Sequence, residues 1–246
     1  MQLPPCFAPP PGKRIGEVWF TGGEDLPLLA KYIFTSERLS VQVHPDDEQA
    51  RERGLPRGKS ECWYALDAEP GAMIGVGLVR ATTKDELRAA ALDGSIEQLI
   101  DWRPVTGGDF LVVPPGTVHA IGGGISLLEF QQNSDVTYRL YDYGRGRELH
   151  LDDAISVARP GPYPGNLAQH LSSDEECVLV DGPYFTLVQT RHDALQDHIR
   201  WVMLLAGTVR SGSDVAGPGE CLLLRPGDPL EADGVRMLIG ATLSRS

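Results

Sequence analysis

The segment ERLSVQVH, residues 37–44, alternates apolar and polar side chains. The two-residue period of a strand puts Leu39, Val41 and Val43 on one face and Ser40, Gln42 and His44 on the other. In a half-exposed strand such a polar face meets water. In a small barrel it lines the lumen, where clustered polar groups are costly unless they bind something. ECWYAL, residues 61–66, repeats the pattern, with Glu61 and Trp63 on one side and Cys62 and Tyr64 on the other. His119 follows the turn at Pro114-Pro-Gly116, where a strand end would aim it inward. Gln42, His44, Glu61 and His119 together offer one amide oxygen, two imidazoles and one carboxylate. That donor set suits a divalent metal such as zinc, and its lack of thiolates marks a catalytic rather than a structural site. Cys62 points away from Glu61 and is no ligand. His150, His170, His192 and His198 lie in polar or linker contexts and read as surface residues.

The elements that must position these residues are mostly short strands. GEVWF, LLAKYIF and LSVQVH precede residue 45, and ECWYAL and MIGVGLV follow a polar stretch at 46–58. The period then changes. Thr83 is placed to cap KDELRAAAL with Glu86 completing a capping box, and Ser95 to cap IEQLIDW, which predicts a small helical insertion at about 83–102. Strands resume with DFLVV, ISLLEF and TYRLYDY. LDDAISVA at 151–158 reads as a further helix, and Pro160, Pro162 and Pro164 mark a linker. CVLV, FTLVQT, IRWVMLLAG, ECLLL and VRMLIGATL complete the chain. Many short strands between Gly/Pro turns predict a sandwich or barrel. GDFLVVPPG at 108–116 aligns without a gap on GECLLLRPG at 219–227, which suggests two copies of one β unit. Past the match, His119 of the first copy corresponds to Leu230 of the second. The expected fold is therefore mainly β, with two lobes of which only the first kept a ligand.

Composition narrows the function. The 246 residues carry 34 acidic and 22 basic side chains, a formal net charge of -12. That balance argues against nucleic acid and anionic membranes as partners. No run approaches the ~18 apolar residues of a membrane span. The N-terminal MQLPPCFAPPPGKR lacks an apolar signal core, its Pro-rich residues 1–13 read as loosely ordered, and SSDEE at 172–176 reads as a solvated charge run. Four scattered cysteines, Cys6, Cys62, Cys177 and Cys221, form no CxxC pair and read as reduced, buried small hydrophobes of a cytoplasmic protein. GLPRGKS at 54–60 imitates a phosphate-binding loop, but one residue is missing between its glycines and a strand pattern follows it.

The segment from Gly108 to His119 fits the second cupin motif, G-x5-P-x-G-x2-H. In place of the usual His-x-His of the first motif stands Gln42-Val-His44, with Glu61 seventeen residues past His44. LSVQVHPDD (39–47), GKSECWYALDAEPGA (58–72), PPGTVHAIGGG (114–124) and LEFQQNSDVTYRLYDYGR (128–145) strongly resemble type I mannose-6-phosphate isomerase. The resemblance implies two cupin lobes, jelly-roll-like β-barrels. Residues 1–150 would form the catalytic lobe, 151–176 a helix and linker, and 177–246 a degenerate lobe without metal ligands. It implies that Gln42, His44, Glu61 and His119 bind one zinc ion per chain, and that Arg139, Lys59 and Glu129 are catalytic. Ser40, Lys59 and Arg139 would contact the substrate, a sugar phosphate. The short chain and reduced helical region depart from the family where elements would cover the substrate.

The reaction implied is the interconversion of mannose 6-phosphate and fructose 6-phosphate, a proton transfer between C2 and C1 through an enediol. Glu129 is a candidate acid/base, and the permanently charged Arg139 suits electrostatic stabilisation. Lys59 could shuttle a proton or bind an oxygen or the phosphate, and the sequence does not choose. Two His and one carboxylate also suit an iron or manganese cupin oxygenase, and a sugar-binding cupin without catalysis would keep the same pocket. Monomer and dimer are equally compatible with the sequence.

Overall fold

A computed structural model describes residues 12–22, 26–173 and 175–242. Residues 1–11, most of the Pro-rich stretch, and Cys6 lie outside them. The chain divides into two compact units, one of Tyr32–His170 and one of Met1–Lys31 with Leu171–Ser246. Every strand pairing within them described here is antiparallel. No helix among the described residues is long and apolar enough to cross a membrane.

In chain order, β1 (Glu17–Phe20) and the first half of β2 (Leu28–Thr35) belong to the smaller unit. The larger unit continues with β3 (Val41–Val43), α1 (Asp47–Arg51), β4 (Glu61–Ala68), β5 (Met73–Leu78), α2 (Lys84–Asp93) and α3 (Ile96–Leu99). Then come β6 (Ile100–Pro104), β7 (Asp109–Val113), β8 (His119–Ile121), β9 (Ile125–Gln132), β10 (Tyr138–Tyr141), α4 (Leu151–Val157) and β11 (Ala168–His170). One sheet runs β10-β3-β8-β5-β6, and a second carries β2-β9-β4-β7-β11.

The alternation read in the sequence decides which side chains go where. Val41, Val43, Ala120 and Leu140 pack with Leu87 and Ala91 of α2 and Ile155 and Val157 of α4. These helices therefore cover one face of the five-stranded sheet. Its other face contributes Ile74, Val76 and Ile121 to a core shared with Trp63, Ala65, Leu111, Val113 and Leu127 of the second sheet. Burying each Val, Leu or Ile among these contributes about 1.5–3 kcal/mol. Gln42, between Val41 and Val43, and His119, between Val118 and Ala120, are turned by the same period to the shared inner side.

The helical insertion differs from expectation in two details. Thr83 accepts a hydrogen bond from the Glu86 N–H as an N-cap should, but the Glu86 carboxylate turns to Arg80 and Thr82 instead of closing a box. Ser95 makes no side-chain cap, and α3 stops at Leu99; Ile100-Asp-Trp102 is strand, because Gly75 and Trp102 pair across β5 and β6. A full capping box does form at α1, where Asp46 and Gln49 satisfy each other's N–H groups, inside the stretch read only as polar.

The smaller unit holds β12 (Cys177–Asp181), β13 (Thr186–Thr190), β14 (Arg200–Ser211), β15 (Asp214–Ala216), β16 (Cys221–Leu224) and β17 (Glu231–Ala241). Their order is β12-β13-β17-β14-β15, with β16 on β14. Val202, Leu204, Val209, Leu224, Met237 and Ile239 form its core. Cys62 is buried, whereas Cys177 and Cys221 are half-buried, and all three are free thiols.

Candidate metal and substrate site

Two rows of cross-strand neighbours build the site. On the five-stranded sheet Arg139 of β10 pairs with Gln42 of β3, and Gln42 with His119 of β8. On the second sheet Glu61 of β4 pairs with Gln131 of β9, and Trp63 with Glu129. Directly opposed residues carry side chains on the same face, so each row presents its groups together.

His44, Glu61 and His119 converge: their ligand atoms lie within 4.8 Å of one another, and all three residues are buried. The protonation of His119 follows from its surroundings. Its Nδ1 lies 2.8 Å from the Thr117 carbonyl, which can only accept, so Nδ1 carries the proton. The bare lone pair of Nε2 then faces the Glu61 Oε1 atom at 3.5 Å, and Nε2 has no hydrogen-bond partner. Two buried acceptors facing each other repel unless a cation lies between them. His44 Nε2 stands 3.5 Å from the other Glu61 oxygen.

The electrostatics favour ligand protonation states. Burial, then the Lys59 charge, lowers the His44 pKa to about 3, and burial lowers that of His119, so both imidazoles are neutral. Burial, the largest single influence, would raise the Glu61 carboxyl, but the Lys59 ammonium 2.6 Å away, together with His44 and His119, holds it well below the usual range. Neutral imidazole and carboxylate are the forms that bind a divalent metal. Gln42 is half-buried beside His119 in register.

Lys59 lies at the heart of the cluster. Its ammonium donates to His44 Nε2 at 3.1 Å and stands 3.7 Å from Glu129. The loop that carries it is anchored from several sides. Lys59 N–H donates to Pro45 O, Ser60 N–H donates to Gln132 Oε1, and Gly58 N–H donates to Asp47 Oδ1. Gly58 packs so closely on the backbone that an added Cβ would lie 2.4 Å from the Asp46 carbonyl carbon.

Arg139 is held by three bonds. Its Nε donates to Ser40 Oγ at 3.3 Å, one terminal nitrogen donates to Glu148 O at 2.7 Å, and its N–H donates to His150 Nδ1 at 3.2 Å. Asp142, the acid nearest in sequence, is instead taken up by Arg145 and Arg147. His150 is consequently half-buried, not a surface residue; packing against Tyr138 and the Arg139 backbone draws it in. His198 is also half-buried, whereas His170 and His192 are exposed and pair with Asp109 and Glu176. Cys62 does face away, bonding to Phe130 O, with burial pushing its thiol well up.

Two buried residues here have no role in the sequence reading. Gln131, opposite Glu61, spends its Nε2 on the carbonyls of Gln132 and Ser134. Trp63 donates its indole N–H to Glu129 Oε2 at 2.9 Å. Period two from Glu61 places Trp63 on the lumen face. Its pairing with Glu129 depends on the β4–β9 register, which no local sequence signal specifies.

No family model matches the chain. The mannose-6-phosphate isomerase of Streptococcus mutans is 45% identical over 170 residues, 65% of this chain and 53% of the relative. The chain thus spans about half the length of that relative. The Bacillus subtilis protein "Probable mannose-6-phosphate isomerase GmuF" is 35% identical over 222 residues, 82% of this chain and 70% of the relative. Among solved structures, the mannose 6-phosphate isomerase of Bacillus subtilis superposes with a TM-score of 0.73 at 30% identity, covering 91% of this chain and 77% of that one. A mannose 6-phosphate isomerase bound with zinc and yttrium shares the fold at a TM-score of 0.64 and 14% identity, over 88% of this chain and 79% of that one. The antiparallel cupin architecture, the His–Glu–His cluster at its centre and these likenesses agree: the chain belongs to the mannose-6-phosphate isomerase family.

Proposed function

We propose that the chain is a zinc-dependent aldose–ketose isomerase that interconverts mannose 6-phosphate and fructose 6-phosphate, working in the cytoplasm. The observation that carries the metal reading is the buried His119 Nε2 lone pair set against Glu61. An all-N/O donor set of two neutral imidazoles and a carboxylate, with Gln42 beside them, fits one zinc ion per chain. Zinc bound there would supply Lewis acidity toward the sugar oxygens as charge develops on them.

The chain's own residues supply the rest. After ring opening, the C2 proton is removed, its bonding pair becomes the C1–C2 double bond, and the C1 carbonyl pair moves to O1, which takes a proton to give the enediol. O2 then gives up its proton as it forms the new carbonyl and C1 takes a proton, giving the ketose with no net gain or loss of electrons. Glu129, almost fully buried beside Lys59, is the group we assign to move that proton. Lys59 supplies positive charge between Glu61 and Glu129, where it can hold a substrate oxygen. Arg139, held by Ser40, brings a permanent cation to the edge of the site and suits the developing anion or the phosphate. Ser40 contributes a buried hydroxyl at the same edge. In this reading residues 1–150 are the catalytic lobe, and residues 177–246 are a degenerate cupin lobe that carries no ligand.

A coupled assay for fructose 6-phosphate formed from mannose 6-phosphate, with and without chelator, tests the proposal. Turnover that disappears on chelation and returns with zinc is expected. A folded, zinc-loaded sample with no turnover would overturn it.

A further inference from the structure

Trp63 is fully buried among Ile33, Ala65, Leu111, Val113 and Leu127. What distinguishes tryptophan there is one N–H that must find a partner when buried. That partner is Glu129 Oε2 at 2.9 Å, directly across the β4–β9 ladder. The two carboxylate oxygens thereby become inequivalent. Oε2 is held by the indole, and Oε1 is the one turned to Lys59, 3.7 Å from its ammonium. The same indole ring stands edge-on to the His119 imidazole, with centroids 5.3 Å apart. One rigid side chain therefore touches both the proposed proton carrier and a proposed ligand.

We propose that Trp63 is a positioning residue, whose N–H fixes the Glu129 carboxylate so that Oε1 faces the substrate side. This inference rests on the isomerase reading above. A bond to a carboxylate is charge-assisted and stronger than a neutral one, so the indole restrains rotation of the Glu129 head group effectively. The ring edge against His119 is a packing contact that does not use the N–H. Losing the N–H should therefore loosen Glu129 and leave the ligand cluster in place.

Trp63→Phe is the test, with wild type assayed beside it under zinc. The expected result is a fall in kcat of about 10–100-fold, the scale set by misplacing a reacting group by about 1 Å, with KM nearly unchanged. Zinc content, measured by elemental analysis, should equal that of wild type. An active wild type with an unimpaired variant overturns the inference alone, as does a kcat loss that merely tracks zinc loss. An inactive, zinc-loaded wild type overturns the isomerase reading and takes this inference with it. Should Trp63→Phe fail to fold, the contact can be read from the other side in Glu129→Ala. With 15N-labelled tryptophan, one of the four indole N–H signals should move upfield. No movement overturns the inference.

Discussion

Replacing Lys59 by Met should destabilise the metal-free protein and leave the zinc-loaded protein nearly unchanged. Glu61 is fully buried and keeps its charge against burial because the Lys59 ammonium stands 2.6 Å away. At an effective dielectric constant near 20, the gross attraction across 2.6 Å is about 6 kcal/mol. Much of that is spent on desolvation, and removing one partner of such a pair costs about 3–5 kcal/mol net. Methionine keeps the length and apolar stem of lysine, so packing adds little to the loss. For a chain of this size each kcal/mol moves the midpoint by about 2–4 °C, giving a fall of roughly 6–20 °C in chelator. With zinc on Glu61, His44 and His119, the dication takes over the charge that Lys59 balanced, and the loss should shrink to about 1 kcal/mol or less. Thermal unfolding of both proteins, each in chelator and in excess zinc, reads the difference. Equal losses under both conditions would refute the reasoning, since the metal would then not sit on Glu61.

His119→Ala removes the bare lone pair and should lose most bound zinc by elemental analysis, whereas full retention would place the metal elsewhere. Arg139→Ala should keep fold and zinc but lose about 10²–10³-fold in kcat, the range for deleting one donor to a developing anion; near-normal kinetics would remove Arg139 from the mechanism. Asp142 predicts a pH signature. The Arg147 bond, then Arg145, outweighs burial and lowers its pKa, so its stabilisation is present above the unfolded value of about 3.9 and disappears as pH falls through the folded one. The gap in thermal midpoint between wild type and Asp142→Asn should therefore be widest near neutrality and close below about pH 4; a constant gap from pH 7 to pH 3 would be the wrong outcome.

What the sequence made legible was the local grammar. Alternation placed Gln42, and the Pro-Pro-Gly turn His119, on the inner face, with Val41, Val43 and Ala120 packed against a helical layer on the other side. It could not reach features set by pairing. Trp63 meets Glu129, and Gln131 lies opposite Glu61, only because β4 and β9 adopt one register out of several that the same apolar pattern permits. The place of His150 escapes the sequence for a similar reason: it is half-buried through bonds to the Arg139 backbone eleven residues away, not through its polar neighbours. The error over Ile100-Asp-Trp102 has the opposite sense, since a plausible helical period lost to pairing with β5.

The internal repeat keeps one turn and changes the donor to a single carbonyl. In both copies the flanking glycines hold matching left-handed conformations, φ 96° and 84° at Gly108 and Gly116 against 92° and 82° at Gly219 and Gly227. In both, the acid accepts from the N–H three residues earlier, Asp109 from Thr106 and Glu220 from Gly217. The turn is closed alike, by Thr117 N–H to Pro114 O and by Asp228 N–H to Arg225 O. One carbonyl then needs a further donor. In the first copy the Thr117 carbonyl receives it from His119 Nδ1, the bond that leaves Nε2 bare. In the second, Leu230 occupies the histidine position and has nothing to donate. There the matching carbonyl of Asp228 is taken by Arg200, a fully buried guanidinium that also binds Arg225 O and is neutralised by Asp193. A buried peptide group left without a partner costs about 1–3 kcal/mol, so a copy that loses the histidine must find another donor. Arg200 fills that role, and around this turn the two copies differ in the donor to one carbonyl: a buried guanidinium in one, and in the other the His119 imidazole, whose Nε2 is left facing Glu61.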